Sequence, residues 1–257
     1  MSPSITENNN IDAYNRYSRQ LKLLGTEGQQ KLKNAAVFIA GIGGLGGTAA
    51  IYLAAAGIGK LIIAHEGNII LPDLNRQILM DSKKIGEERV QCAVESLKKI
   101  NPEVKIEAYS QRIHYETSYP LVSAADIVVD ARYDFPERYA LNKLCVDIGK
   151  PMIEAAMSGF EISITTIKPN ETACLACIFP ERDKKWKPFG FPVLGATSGI
   201  AGCMAALEVI KVLTGIGEPY YNKLYHFDSL QFQSAAFSLK RNPFCKHCAN
   251  KGEGAYA

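Results

Sequence analysis

Two spacings in this 257-residue chain carry chemistry. Cys174 and Cys177 in CLAC, with Cys245 and Cys248 in CKHC, make two Cys-x-x-Cys pairs. Four thiolates close a tetrahedral shell and leave no position for water, so the pattern predicts a structural Zn²⁺. A redox motif has no use for the second pair. Far upstream, GIGGLG sets Gly41, Gly43 and Gly46 in the G-x-G-x-x-G spacing, with Gly44 inside it. The first glycine permits a tight turn, the second lets a phosphate approach the backbone, and the third lets a helix pack on a sheet. The N–H groups and partial positive charge of the helix that follows suit that phosphate.

The elements that must position these residues follow from the apolar pattern. AAVFIA is a short apolar run ending in glycines and reads as a buried strand. GGTAAIYLAAAGIG holds helix formers and a closing glycine, and KLIIAHEG is a second strand, giving one βαβ unit. The pattern recurs. GEERVQCAVESLKKIN aligns Val90, Val94 and Leu97 on one helical face, VKIEAYS is a third strand, and ADIVVDAR a fourth. A helix with Leu141, Leu144, Cys145 and Ile148 in line comes next, then strands in KPMIEAAM and FEISITTIK. The small-residue helix SGIAGCMAALEVIKVLTG precedes alternating strands in NKLYHFDSLQFQSAAFSLK. The expectation is an α/β fold: a Rossmann-like, doubly wound, mostly parallel sheet, helices on both faces, and a zinc-stapled antiparallel C-terminal extension. Residues 1–13 read as a disordered polar tail and 14–257 as one domain. Within it, 14–34 is a helical arm, 35–170 the nucleotide-binding core, and 171–257 a crossover connection, helix and zinc-tied strands.

Composition narrows the function. Apolar residues make up 47% of the chain and charged ones 21%, as in ordinary globular proteins. A dispersed net charge of +3 gives no footprint for nucleic acid. No apolar run reaches the roughly 18 residues of a membrane span, and MSPSITENNN does not read as a signal peptide, so a cytoplasmic protein is expected. Seven cysteines without export signals argue against a disulfide framework. Cys92, Cys145 and Cys203 lie on predicted helices and read as packed thiols. In dinucleotide folds an acid ends the second strand, roughly 20 residues beyond the glycines, and holds the ribose. Here that stretch is AHEG, offering His65 or Glu66.

Taken together, RYSRQ, GIGGLGG, LNRQIL, FPVLG and the two thiol pairs, spread from about Arg16 to Cys248, resemble the E1-like (ubiquitin-activating) superfamily and within it the MoeB/ThiF/HesA group. The resemblance implies an adenylyltransferase that uses ATP and Mg²⁺ to activate a carboxylate. Its usual substrate is the C-terminal glycine of a ubiquitin-fold or sulfur-carrier protein ending in Gly-Gly, and its usual state is a homodimer. The chemistry agrees: a terminal carboxylate, with a pKa of about 3.5, is already ionised, so no general base is required. The site must align anions and neutralise charge.

The matched positions supply candidates. Arg76 and Gln77 follow the second strand, Arg89 stands where the pattern has a lysine, and Arg19 matches an arginine that reaches into the partner subunit's ATP site. There are departures. The pattern Asp-Cys-Thr-Asp-Asn is DARYD here, with Tyr133 in the metal slot, and the expectation is that Asp134 takes the metal role. Asp73 replaces an asparagine, and it is expected to share Mg²⁺ with Asp134. His65 occupies the place of the ribose-binding acid and is expected to accept a hydroxyl hydrogen bond. Between Ile178 and Gly195 there is no cysteine, so chemistry should stop at the acyl-adenylate. Two alternatives stand beside this reading: a small-molecule carboxylate such as a guanylylpyridinol cofactor precursor, or a nucleotide-binding scaffold whose catalysis has decayed. NAD-dependent oxidoreduction comes last, because nothing resembles a hydride-transfer site.

Overall fold

Five apolar runs form adjacent parallel strands: β1 Ala36–Ala40, β2 Lys60–Ala64, β3 Lys105–Tyr109, β4 Ile127–Asp130 and β5 Met152–Ser158. The computed structural model describes residues 5–180 and 190–249, with side chains from residue 16 onward. Antiparallel strands β6 Glu161–Ile167, β7 Lys223–Asp228 and β8 Gln233–Ser238 extend the same sheet, whose order is β3-β2-β1-β4-β5-β6-β7-β8. The chain winds one way from β1 to β2 and β3, and the other way from β4 onward. The crevice at such a reversal, beyond the C-terminal ends of β1 and β4, is where open α/β sheets bind ligands.

Period-two alternation splits the core. Val37, Ile39, Leu61, Ile63 and Val129 face one layer, and Phe38, Ile62 and Val128 the other. The helices are α1 Ile5–Asn34, α2 Gly44–Ala56, α3 Arg89–Ile100, α4 Tyr115–Ser123, α5 Phe135–Ile148, α6 Leu175–Ile178 and α7 Gly195–Thr214. Val90 and Leu97 of α3 are buried as the spacing predicts, as are Leu141, Leu144 and Cys145 of α5. The 20 residues of α7 are long and apolar enough to cross a bilayer, yet the helix packs against α2, β5 and β6. Its buried Glu208 accepts hydrogen bonds from Thr166 Oγ1 (2.5 Å) and the Tyr220 N–H (2.8 Å), which marks a core helix.

Two elements differ from the sequence expectation. Residues 5–13 belong to α1, which bends at Gly25 (φ 66°, ψ 175°), whereas their polarity predicted disorder. The spacing Ser4-x-x-Glu7 is a helix-start signal that outweighs that polarity. Residues 1–4 lie outside the described residues. Helix α4 goes unread in the sequence because Pro120, normally a breaker, sits inside it.

Candidate functional site

The glycine loop is built by backbone. β1 ends at Ala40 and α2 begins at Gly44, with Gly43 as an N-cap that offers no side chain to the first N–H groups. Gly41 has φ +104°, and a Cβ there would lie 2.6 Å from Ala131 O. A Cβ on Gly46 would meet Gly41 O at 1.8 Å. Neither position tolerates a side chain, and the helix N-terminus is thereby left open to an anion.

Gly43 and Gly44 open into a cavity of about 840 Å³ at the reversal point. His65, Glu66, Asp73, Arg76, Gln77, Arg89 and Asp134 line the same cavity, so most of the sequence candidates converge. Gly41 and Gly46 shape the loop from beneath. Arg19 does not line it: this side chain is exposed on α1 and makes no ion pair among the described residues.

Three arginines that the sequence reading did not single out complete the wall: Arg112, Arg132 and Arg138. Arg132 and Arg138 follow the end of β4, on the ligand side of the sheet, which is the signal that would have found them. Arg112 arrives from the connection between β3 and α4. Glu137 gathers two of them, accepting from Arg132 Nη2 at 2.8 Å, Arg112 Nη2 at 3.0 Å, and the Ile113 N–H at 2.9 Å. Burial works against its charge, but Arg132 and these hydrogen bonds hold its carboxyl below the usual carboxylate range. Behind it, Arg138 bonds Asp130 Oδ2 at 3.1 Å and pairs with Glu154. Burial pushes Glu154 up to about 7.

Asp134 caps α5 by position but makes no side-chain cap hydrogen bond. Its Oδ2 accepts from Arg112 Nη2 at 3.0 Å, while Oδ1, fully buried, has no partner among the described residues. Arg132 Nε and Gln77 Oε1 are likewise buried and unpartnered. Orphaned polar atoms are rare in folded interiors, and here three of them border one cavity. An anionic oxygen of this kind fits a magnesium ion.

The ThiF family model matches residues 17–247. This chain belongs to the ThiF family. It is 45% identical over 244 residues to the heterocyst HesA protein of Trichormus variabilis, covering 94% of this chain and 91% of that one. It is 34% identical over 249 residues to a sulfur carrier protein adenylyltransferase of Thermus thermophilus, covering 92% and 91%. Among solved structures it is similar to E. coli MccB with ATP, with TM-score 0.79 and 27% identity, covering 91% of this chain and 74% of that one.

Within this ThiF-family site two of the expected ligand groups already have protein partners. Both oxygens of Asp73 accept hydrogen bonds. Arg89 Nη2 (2.7 Å) and Nε (3.1 Å) and the Ile70 N–H (3.1 Å) donate to Oδ2, and Gln77 Nε2 donates to Oδ1 at 2.9 Å. Its charge is spent on bracing Arg89 and Gln77, and Arg89 in turn donates through Nη1 to Glu66 O at 2.9 Å. His65 Nδ1 is likewise taken, accepting from the Ile42 N–H at 3.0 Å.

The thiol cluster forms as predicted. The Sγ atoms of Cys174, Cys177, Cys245 and Cys248 lie within 4.8 Å of one another. Individual separations are 3.8 Å for Cys174–Cys177, 3.7 Å for Cys174–Cys245 and 3.4 Å for Cys177–Cys248. A tetrahedral ion with Zn–S bonds of about 2.3 Å has edges of about 3.8 Å, so these thiols fit zinc. The Asn242 N–H points at Cys177 Sγ (3.4 Å) and the His247 N–H at Cys245 Sγ (3.5 Å). The cluster also packs on α5: Asn142 bonds the Leu175 N–H at 2.9 Å and His247 Nδ1 at 3.0 Å, and Tyr139 donates to Phe179 O at 2.8 Å. It therefore shares a helix with Asp134, whereas the spacing alone placed it remote from the site. The two contacts are eight residues apart along that helix, about 12 Å.

Proposed function

We propose that this chain is an ATP-dependent adenylyltransferase that joins a carboxylate to AMP and releases pyrophosphate. The observation that carries this reading is the buried, unpartnered Asp134 Oδ1 facing the same cavity as the glycine loop and a wall of arginines. The name of the Thermus thermophilus relative, a sulfur carrier protein adenylyltransferase, supports it.

In this scheme the α2 N-terminus and Arg76 hold the phosphate chain, and Gln77 and Arg89 line its path. Asp134 holds Mg²⁺, which offsets negative charge on the departing pyrophosphate. The substrate carboxylate arrives ionised, and one of its oxygens attacks the α-phosphorus as the bond to pyrophosphate breaks. Alignment and charge neutralisation supply the acceleration. Cys174, Cys177, Cys245 and Cys248 hold a Zn²⁺ that takes no part in the chemistry. Arg19, exposed and outside its own cavity, completes the site of a second copy in a homodimer, and the protein works in the cytoplasm.

The substrate is the C-terminal glycine of a ubiquitin-fold or sulfur-carrier protein. Ala155, Ala156 and Gly190 are among the residues that line the cavity and leave room for a slender Gly-Gly tail beside Met157 and Phe191. ATP–pyrophosphate exchange tests the assignment. Exchange should depend on a carrier ending in Gly-Gly; exchange with small acids alone would move the substrate class, and none with either would overturn the enzyme.

A further inference from the structure

An open α/β sheet ordinarily stations an acid at the end of its second strand, where it receives the ribose. His65 stands there, directly after Ala64 of β2, in the cavity wall. One contact fixes what its ring has to offer. A backbone N–H only donates, so the Ile42 N–H bond at 3.0 Å requires a lone pair on Nδ1 and leaves the ring's single proton on Nε2. The ring is held against the glycine loop, with Cε1 3.8 Å from where a Cβ on Gly43 would lie. Burial, then the charges of Arg132, Arg89 and Arg76, drive its pKa well below the ordinary value, so it stays neutral at physiological pH.

Resting on the adenylyltransferase reading, we propose that His65 reads the nucleotide's ribose as a single N–H donor through Nε2, so that this site takes ribo- and 2′-deoxynucleotides nearly alike. A carboxylate in that place accepts from two neighbouring hydroxyls, and removing either leaves part of a charge unpaired. A neutral N–H makes one bond to one hydroxyl oxygen, and a deoxyribose still provides one. The adjacent Glu66 carboxylate, 58% exposed, lies 3.8 Å from Arg112 Nε, and this pairing draws it toward the guanidinium.

Calorimetric titration of the full chain with ATP, 2′-dATP and 3′-dATP in the presence of Mg²⁺ tests this. The three dissociation constants should agree within about fivefold, the scale of one neutral hydrogen bond. H65D, which restores an acceptor, should favour ATP over 2′-dATP by more than about tenfold. H65N should stay in the wild-type range, since its amide can accept from Ile42 and still donate. A wild-type preference for ATP above about tenfold, above all one abolished by E66A, overturns this inference and leaves the adenylyltransferase standing. An H65D protein that folds without gaining preference also counts against it. Failure to bind ATP at all defeats both readings.

Discussion

Along α5 the first turn faces the cavity, while the residues from Tyr139 onward face the thiol cluster, and the two ends differ in how completely their polar groups are satisfied. At the cavity end, Asp134 Oδ1 and the nearby Arg132 Nε and Glu154 Oε2 are buried without partners among the described residues. At the thiol end, both the amide nitrogen and the oxygen of Asn142 are bonded, and the Tyr139 hydroxyl reaches Phe179 O. Unmet capacity is what a ligand-binding end needs, and it costs stability. A saturated end supports the fold and has nothing left to offer a substrate.

The sharpest way to break this contrast is at the thiol end. Replacing Cys174 and Cys177 together by serine should abolish zinc binding and lower Tm by about 10 °C or more, read by metal analysis and calorimetry. An unchanged Tm would mean that the cluster does not hold the fold. Next in size is Asp134→Asn, which should cut pyrophosphate exchange by about 10²-fold or more and leave Tm within a few degrees. Equal losses of stability and activity would make Asp134 a structural residue and erase the difference between the two ends.

A third prediction concerns pH. Because Glu154 is held up to about 7 in the folded chain, the native state binds more protons than the unfolded state from about pH 4.5 to 7. Stability should therefore fall as pH rises through that window, by on the order of 1–3 kcal/mol, and level off above it. Glu154→Gln should flatten the profile; an equally steep slope in the variant would assign the effect elsewhere. The smallest effect belongs to Asn142→Ala, expected to cost about 1–2 kcal/mol with zinc retained and exchange within a few-fold of normal.

What the sequence disclosed was whatever lies in one stretch of chain. The glycine spacing, the apolar run of β1 and each thiol pair are local, and the elements they predicted are present. The acid proposed to hold magnesium was only half legible. Asp73 and Asp134 looked alike as acids near phosphates, yet Arg89, 16 positions away, closes Asp73, while Asp134 keeps an oxygen open. Arg112 escaped notice because it reaches Glu137 from a separate loop, 25 positions away, a pairing no spacing rule records. The role of His65 turned on a backbone N–H contributed by Ile42, and only the folded loop brings the two together.

The late position of Cys245 and Cys248 has a consequence for how the protein comes into being. Both emerge from the ribosome after the eight described strands, yet they complete a cluster whose other half, at Cys174 and Cys177, leans on the helix that Asp134 begins. A chain interrupted before Cys245 would carry the cavity-lining residues of the described structure but leave Asn142 without His247 and two thiols without a shell. Such a truncated product should be less stable than the whole chain.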